Sequence, residues 1–447
     1  MSETLNVAAP TIGQTSQIVG PAQSRNALPA PLRVGIVVAL CALVFLPRFQ
    51  LNIGSLFASN GLIAQYIVIG MLMWCGKLRV DPVRGMLFIL CIGVMFTAWV
   101  LNPAGSSYLS AMLVGAAYLA FIFVARMPDG NDALCRFTLR TFSNLMLVAA
   151  IAGILQFFMQ FAYNPKWLFD FTPMLPDLIR GGGRYNTVIH IGSFIKSNGF
   201  FFREPSFFSQ FLALAAACEI ARRRSERRTL NLPRLATFGF AMLLTYSGTG
   251  LATLFIALLF PLGVKTVIRM GLVAIGGILI FTVLGSTLNL GFTAGRINEF
   301  DKPGTSAYAR FVAPVQFISA NMGGSFVSTV MGHGPGSVTR GAGVNAWYEN
   351  ANPTWAKMLI EYGLVGFTTF AGLMFYSLWR SRAPIELVAA MFLGWLVIWG
   401  GIFLGPEMTG LIYVLAAAVP ALPPSRPRRQ GRIVADVGHL TAPPSRR

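Results

Sequence analysis

Three short stretches hold the residue types that could do chemistry. The first is Asn198-Gly-Phe-Phe-Phe-Arg203-Glu204-Pro205-Ser206, which sets a guanidinium beside a carboxylate where the chain enters an apolar run. A guanidinium can clamp a phosphate through two parallel N–H bonds, and a carboxylate can take a proton from a hydroxyl. Pro205 suits the first turn of a helix. The plainer reading makes Arg203 an interfacial anchor and Glu204 a helix-start carboxylate. The second stretch is Tyr308-Ala309-Arg310 followed by Gly332-His333-Gly334-Pro335-Gly336-Ser337. Glycines so spaced let backbone N–H groups approach an anion, with Arg310 as a further clamp, although such a run is also a tight turn. His333, without a second ligand or carboxylate nearby, reads equally as structural. The third is Asn352-Pro353-Thr354-Trp355-Ala356-Lys357 through Glu361-Tyr362-Gly363-Leu364-Val365-Gly366. Here Lys357 and Glu361 fall four apart on one helical face, as a snorkelling ion pair would. Glu219, Glu386 and Glu407, at other helix ends, read as structural.

The elements that must position these residues are apolar spans. Six are expected near Val34–Leu46, Leu62–Trp74, Met86–Leu101, Tyr108–Val124, Phe142–Ala162 and Phe207–Ile220. Six more follow near Leu235–Tyr246, Leu251–Val264, Met270–Leu290, Trp355–Leu378, Ile385–Leu404 and Met408–Leu422. Several fall short of the roughly 20 residues that cross a bilayer perpendicularly, so the span count is approximate. With the amino terminus inside, alternate loops carry Lys77, Arg79 and Arg84, then Arg126, Arg136 and Arg140, then Arg222 to Arg234, Lys265 and Arg269, and Arg380 and Arg382. That is the charge sorting of cytoplasmic loops, and an even number of spans returns the Arg-rich carboxyl terminus to the same side.

Composition leaves little choice of class. Only 11% of the 447 residues are charged and 55% are hydrophobic, with a mean hydropathy of +0.62. So little charge cannot cover a water-soluble globule, whereas a lipid-facing surface needs none. The net charge of +19 would suit a nucleic-acid binder, but its confinement to short loops argues against one. The five cysteines form no CxxC or Cys/His cluster, so neither disulfides nor a metal site is expected. Residues 1–30 are polar and read as a disordered cytoplasmic tail without a cleavable signal. Residues 31–424 form the polytopic domain, and 425–447 a basic cytoplasmic tail.

Two segments do not fit the sorting. Outer loops of about 163–199 and 291–353 carry Lys166, Arg180, Arg184, Lys196, Arg296, Lys302, Arg310 and Arg340, with Arg203 just beyond the first. Cations kept on the far side against the usual bias need another cause. Turn residues mixed with Trp167, Phe169, Phe171, Trp347 and Tyr348 give both loops the look of ordered structure lying on the interface.

In this order and spacing, the three stretches resemble the O-antigen ligase/polymerase superfamily, and within it the Wzy-type exopolysaccharide polymerases. The likeness runs from about Asn198 to Gly366. It also takes in the Ser247-Gly248-Thr249-Gly250 turn heading an apolar run. It implies a donor glycan carried on polyprenyl pyrophosphate and an acceptor that is another lipid-linked repeat. In the ligases a His-Asn pair starts the third motif and its His is thought to act as base. The aligned pair here is Asn352-Pro353, and an amide cannot take a proton at neutral pH, which favours a polymerase.

The expected protein is thus all-α and polytopic, with about 12 transmembrane helices and two long extracytoplasmic loops, the second partly helical. It is expected in a bacterial inner membrane, both termini cytoplasmic and the active site periplasmic, as a metal-independent glycosyltransferase without cofactors. Arg203 and Arg310 lead the expected pyrophosphate ligands, followed by Arg184, Arg180 and Arg340. Glu204 is the expected base and His333 its substitute. The expected partners are lipid-linked oligosaccharides, membrane lipid, a flippase and a chain-length regulator, with no nucleic acid. Two alternatives stand beside this: a ligase-like enzyme with another acceptor, and a flippase or carrier of lipid-linked sugars.

Overall fold

The computed structural model describes residues 28–53, 56–127, 131–163, 166–180, 187–191, 193–260, 301–303, 305, 307–322, 325–340, 353–400 and 405–421. The span expected at Met270–Leu290, Arg184, Arg296, Trp347, Tyr348, Asn352 and most of both tails lie outside the described residues.

The chain is mostly helical. Helices α1 (Ala30–Phe45), α2 (Asn60–Trp74), α3 (Pro82–Leu101), α4 (Tyr108–Leu119) and α5 (Asn131–Ala162) precede the first long loop. Then come α6 (Pro205–Ser225), α7 (Leu232–Leu244) and α8 (Gly248–Leu259). The second loop contributes short helices α9 (Ala313–Met322), α10 (Phe326–Met331) and α11 (Ser337–Arg340). The chain closes with α12 (Thr354–Trp379), α13 (Ile385–Leu393) and α14 (Pro406–Ile412). Helices α3, α5 and α12 are long and apolar enough to cross a membrane, and the protein is an integral membrane protein. Eleven of the twelve expected apolar runs overlap these helices at least in part, three of them in helices of spanning length, and the twelfth lies outside the described residues. Three two-stranded antiparallel pairs depart from an all-helical expectation: Gln50–Ile53 with Leu56–Ser59, Leu78–Val80 with Phe123–Ala125, and His190–Ile191 with Phe194–Ile195. Each joins segments outside the helices, where extended backbone otherwise lacks partners.

Sequence neighbours α1 and α2 pack together, and so do α5, α6 and α7, while α6 also packs on α8 and α12 on α3. The α2–α14 crossing is so close that a Cβ on Gly61 would meet the Pro406 carbonyl. Small residues permit such approach between membrane helices, where dispersion contacts and not the hydrophobic effect hold helices together.

At one end of the bundle the loop basics knit helices. Arg84, expected in a loop, lies in the first turn of α3 with no exposed surface. Its guanidinium donates to the carbonyls of Phe121 (3.2 Å), Ala417 (2.7 Å) and Ser377 (3.0 Å). Glu219, buried near the end of α6, accepts from Arg222 (2.8 Å) and Arg223 (2.9 Å) and faces Arg234 at 3.8 Å. Arg224 meets Glu386 of α13 at 2.9 Å. Glu219 and Glu386 are thus engaged in ion pairs at this end of the bundle.

Candidate active site

The opposite end, where α1 finishes and α2, α6 and α14 begin, holds the first motif. Its approach is shaped by Asn198, whose amide donates to Phe169 O (2.8 Å) and Thr187 O (3.0 Å) and accepts from Gln156 of α5 at 2.8 Å. Gly199 and Phe200 both adopt positive φ, 66° and 63°. That doubles the chain back so that Arg203 and Glu204 arrive at the head of α6, where Pro205 takes the first turn.

Arg203 is buried to 8% exposure. Its Nε donates to Pro47 O at 2.5 Å, and its Nη1 lies 3.3 Å from a carboxylate oxygen of Glu407 in α14. The two charges share a narrow, open-sided slot whose other lining is Pro47, Phe202, Phe207 and Phe211. An apolar wall lowers the local dielectric, so a charged ligand held there interacts more strongly than it would in water. The Glu204 carboxylate accepts from Ser206 Oγ at 2.9 Å, and Glu204 is not among the residues that line the slot.

A second guanidinium, missed in the sequence, braces this end. Arg48, 1% exposed, donates to Phe202 O (3.1 Å), Phe169 O (2.7 Å) and Asp170 Oδ1 (3.0 Å), and sits 4.8 Å above the Phe171 ring. Burial pushes it down to about 10, with Asp170 pulling up and the charge of Arg203 pushing the same way as burial. The signal was present: Arg48 follows an apolar run on the side where cations are otherwise scarce. Glu407 gave no such signal, since only the fold brings it to Arg203.

The remaining expected residues sit as follows. Arg180 braces its own turn, donating to Leu175 O (2.8 Å) and Pro173 O (3.2 Å) and pairing with Asp177 at 3.0 Å. Arg310 rides on the π-helical turn Tyr308–Val312 that leads into α9, which packs on α12. Arg340 ends α11.

The second and third motifs meet. Helix α12 is broken at Gly363 (φ 64°, ψ −167°), which frees carbonyls in the turn before it. His333 N donates to Ile360 O and Gly334 N to Glu361 O, both at 2.8 Å. Those two N–H groups are therefore spent on the break, while Gly332 N donates to Ser328 O at 2.8 Å. Across the loop, Asn102 Nδ2 donates to His333 O (2.8 Å) and Ser107 N to Pro335 O (2.6 Å), so the run wedges α12 against the α3–α4 connection. The His333 imidazole lies 3.1 Å from Asn321 O. Lys357 and Glu361 form the expected pair at 3.7 Å, both buried. Thr249, in the Ser-Gly-Thr-Gly turn, accepts from Gln210 at 3.2 Å and so keys α8 onto α6.

Comparison with known proteins supplies a family. The family model described as WcaD colanic acid polymerase matches residues 36–421. No curated protein matches the chain.

Proposed function

The chain belongs to the WcaD colanic acid polymerase family, a Wzy-type polymerase family, and we propose that it transfers a growing glycan from polyprenyl pyrophosphate to a lipid-linked repeat unit at the periplasmic face of the bacterial inner membrane. Membership makes it an exopolysaccharide polymerase, a glycosyltransferase-type activity. The observation that carries the finer reading is Arg203: a buried guanidinium, in an apolar slot, at the end of the bundle opposite the Arg222–Arg224 cluster.

A pyrophosphate departs as a stable anion, so the transfer needs charge stabilisation where a glycosidase needs a carboxylic acid to protonate an alkoxide. Arginine serves this purpose because it stays protonated where the dielectric is low and meets two phosphate oxygens at once. Arg203 grips the pyrophosphate in this reading, and Arg310, from the second loop, closes on it with the donor bound. Arg184 and Arg340 remain further ligands of the same kind. Arg180 is the weakest of the set because its guanidinium already serves two carbonyls and a carboxylate. The isoprenoid tail enters between helices from the lipid. No metal is required by this chemistry, and flippase and chain-length regulator are the partners it implies.

Deleting the gene and complementing it with variants tests the reading. Loss of the chain is expected to leave single repeats and no long polymer. Arg203→Ala and Arg310→Ala are expected to insert normally and still fail to restore polymer, read on carbohydrate gels. Long polymer in the deletion strain would remove the function, and long polymer from both variants would remove the site.

A further inference from the structure

We propose that Glu407 is the proton acceptor of the transfer, held idle by Arg203 until a pyrophosphate takes that guanidinium from it. The inference rests on the polymerase reading above and adds a catalytic residue to it.

Three observations lead there. Glu407 is the carboxylate that shares the slot with Arg203, 3.3 Å from Nη1. The carboxyl and imidazole groups that sequence favoured do not line this slot, Glu204 accepting from Ser206 and His333 lying against the Asn321 carbonyl. Finally, the pair joins two helices through one guanidinium edge, while the Nε edge of Arg203 stays anchored on Pro47 O. The Nη groups can therefore change partner without Arg203 leaving its place.

The exchange has a physical direction. A pyrophosphate brings more charge and more acceptor oxygens than one carboxylate, and a guanidinium bonds it in bidentate fashion. In the resting pair the guanidinium occupies one carboxylate oxygen of Glu407, 3.3 Å from Nη1, and keeps it from a hydroxyl. Once the phosphate has taken Arg203, the carboxylate is left against phenylalanines, where an uncompensated charge is costly and a proton is welcome. Donor binding thus switches the base on, and an empty site holds it off.

The step then balances. The acceptor hydroxyl oxygen forms a bond to the anomeric carbon of the donor while its proton passes to a Glu407 oxygen. The bond from that carbon to the pyrophosphate oxygen breaks, and its electron pair leaves with the pyrophosphate, held by Arg203. Departure of polyprenyl pyrophosphate returns the guanidinium to Glu407, whose proton goes to water.

The test uses the full chain in detergent or proteoliposomes, with fluorescent polyprenyl pyrophosphate as binding probe and polymer formation from lipid-linked repeats as the activity. Glu407→Gln is expected to lower polymer formation by about 100-fold or more, the range general-base catalysis supplies. Its affinity for the probe is expected to hold or to rise several-fold, because the competing carboxylate has gone. A merely structural ion pair predicts the opposite sign, weaker binding together with lower activity as in Arg203→Ala, and that result overturns the proposal. So does wild-type polymer from Glu407→Gln. If Glu407→Gln fails to insert, Glu407→Asp keeps the charge with a shorter reach. Probe binding near wild type with slowed polymerisation supports the proposal, and an unchanged rate overturns it. Polymer lost on deletion and in Arg203→Ala but normal in Glu407→Gln would remove this inference alone and leave the polymerase reading standing.

Discussion

Arg48 illustrates how one side chain can hold a site without touching its chemistry. It ties Phe169 and Asp170 of the first long loop to Phe202, one residue before Arg203. Lysine at this position keeps the charge but not the fork that reaches three acceptors in different directions. Arg48→Lys is expected to lose on the order of 3 kcal/mol, the scale of hydrogen bonds to a charged group. The measurement is a lowered thermal unfolding midpoint in detergent, accompanied by reduced polymer. An unchanged midpoint would show that the loop is held by other contacts. Residues such as this mark what was readable at this scale. Arg203 stood out because it broke the usual sorting of charge, and Arg48 broke it too but hid beside a span end. Glu407 could not be singled out, since it and Arg203 are 204 positions apart and nothing local in either stretch points to the other.

Elements carry a different kind of information. The Gly-rich run reads in one dimension as an anion cradle, yet in three dimensions the N–H groups of His333 and Gly334 satisfy carbonyls freed by the break in α12. A break of that kind is invisible to hydropathy, because the helix on both sides is apolar. It rests on Gly363, whose φ of 64° with ψ of −167° is a region open essentially to glycine, and whose added Cβ would meet the Val330 backbone. Gly363→Ala is therefore expected to cost about 1–3 kcal/mol. Gly372, in the same helix, has open space where a Cβ would go. Gly372→Ala should gain about 0.5–1 kcal/mol from helix propensity. Thermal unfolding of the two variants side by side checks the contrast, and equal shifts would show that the break at Gly363 is not required. The apolar runs themselves were legible because burial in lipid leaves so few alternatives to helix. The short strand pairs were not, since two to four residues carry too little pattern to declare a partner.

For the whole molecule, everything chemical depends on which way the bundle faces. Helices that begin at the Arg203 end run toward the end carrying Arg84, Glu219 and the Arg222–Arg224 cluster: α6 starts beside Arg203 and closes on that cluster, and the segment begun by α14 at Glu407 leads to Ala417, whose carbonyl accepts from Arg84. The proposed reaction requires the cluster end to be cytoplasmic, as charge sorting leads one to expect, with Arg203, Glu407 and the exposed residues Lys302 and Phe326 on the far side. Single cysteines on an otherwise cysteine-free chain can read this directly. Lys302→Cys and Phe326→Cys are expected to react with a membrane-impermeant maleimide in intact spheroplasts, whereas Arg228→Cys, at the exposed end of the cluster, should react only after lysis. The reverse pattern would set the slot facing the cytosol. A donor whose repeat has already crossed the membrane could not reach it there, so the orientation decides the proposed reaction as firmly as loss of Arg203 would.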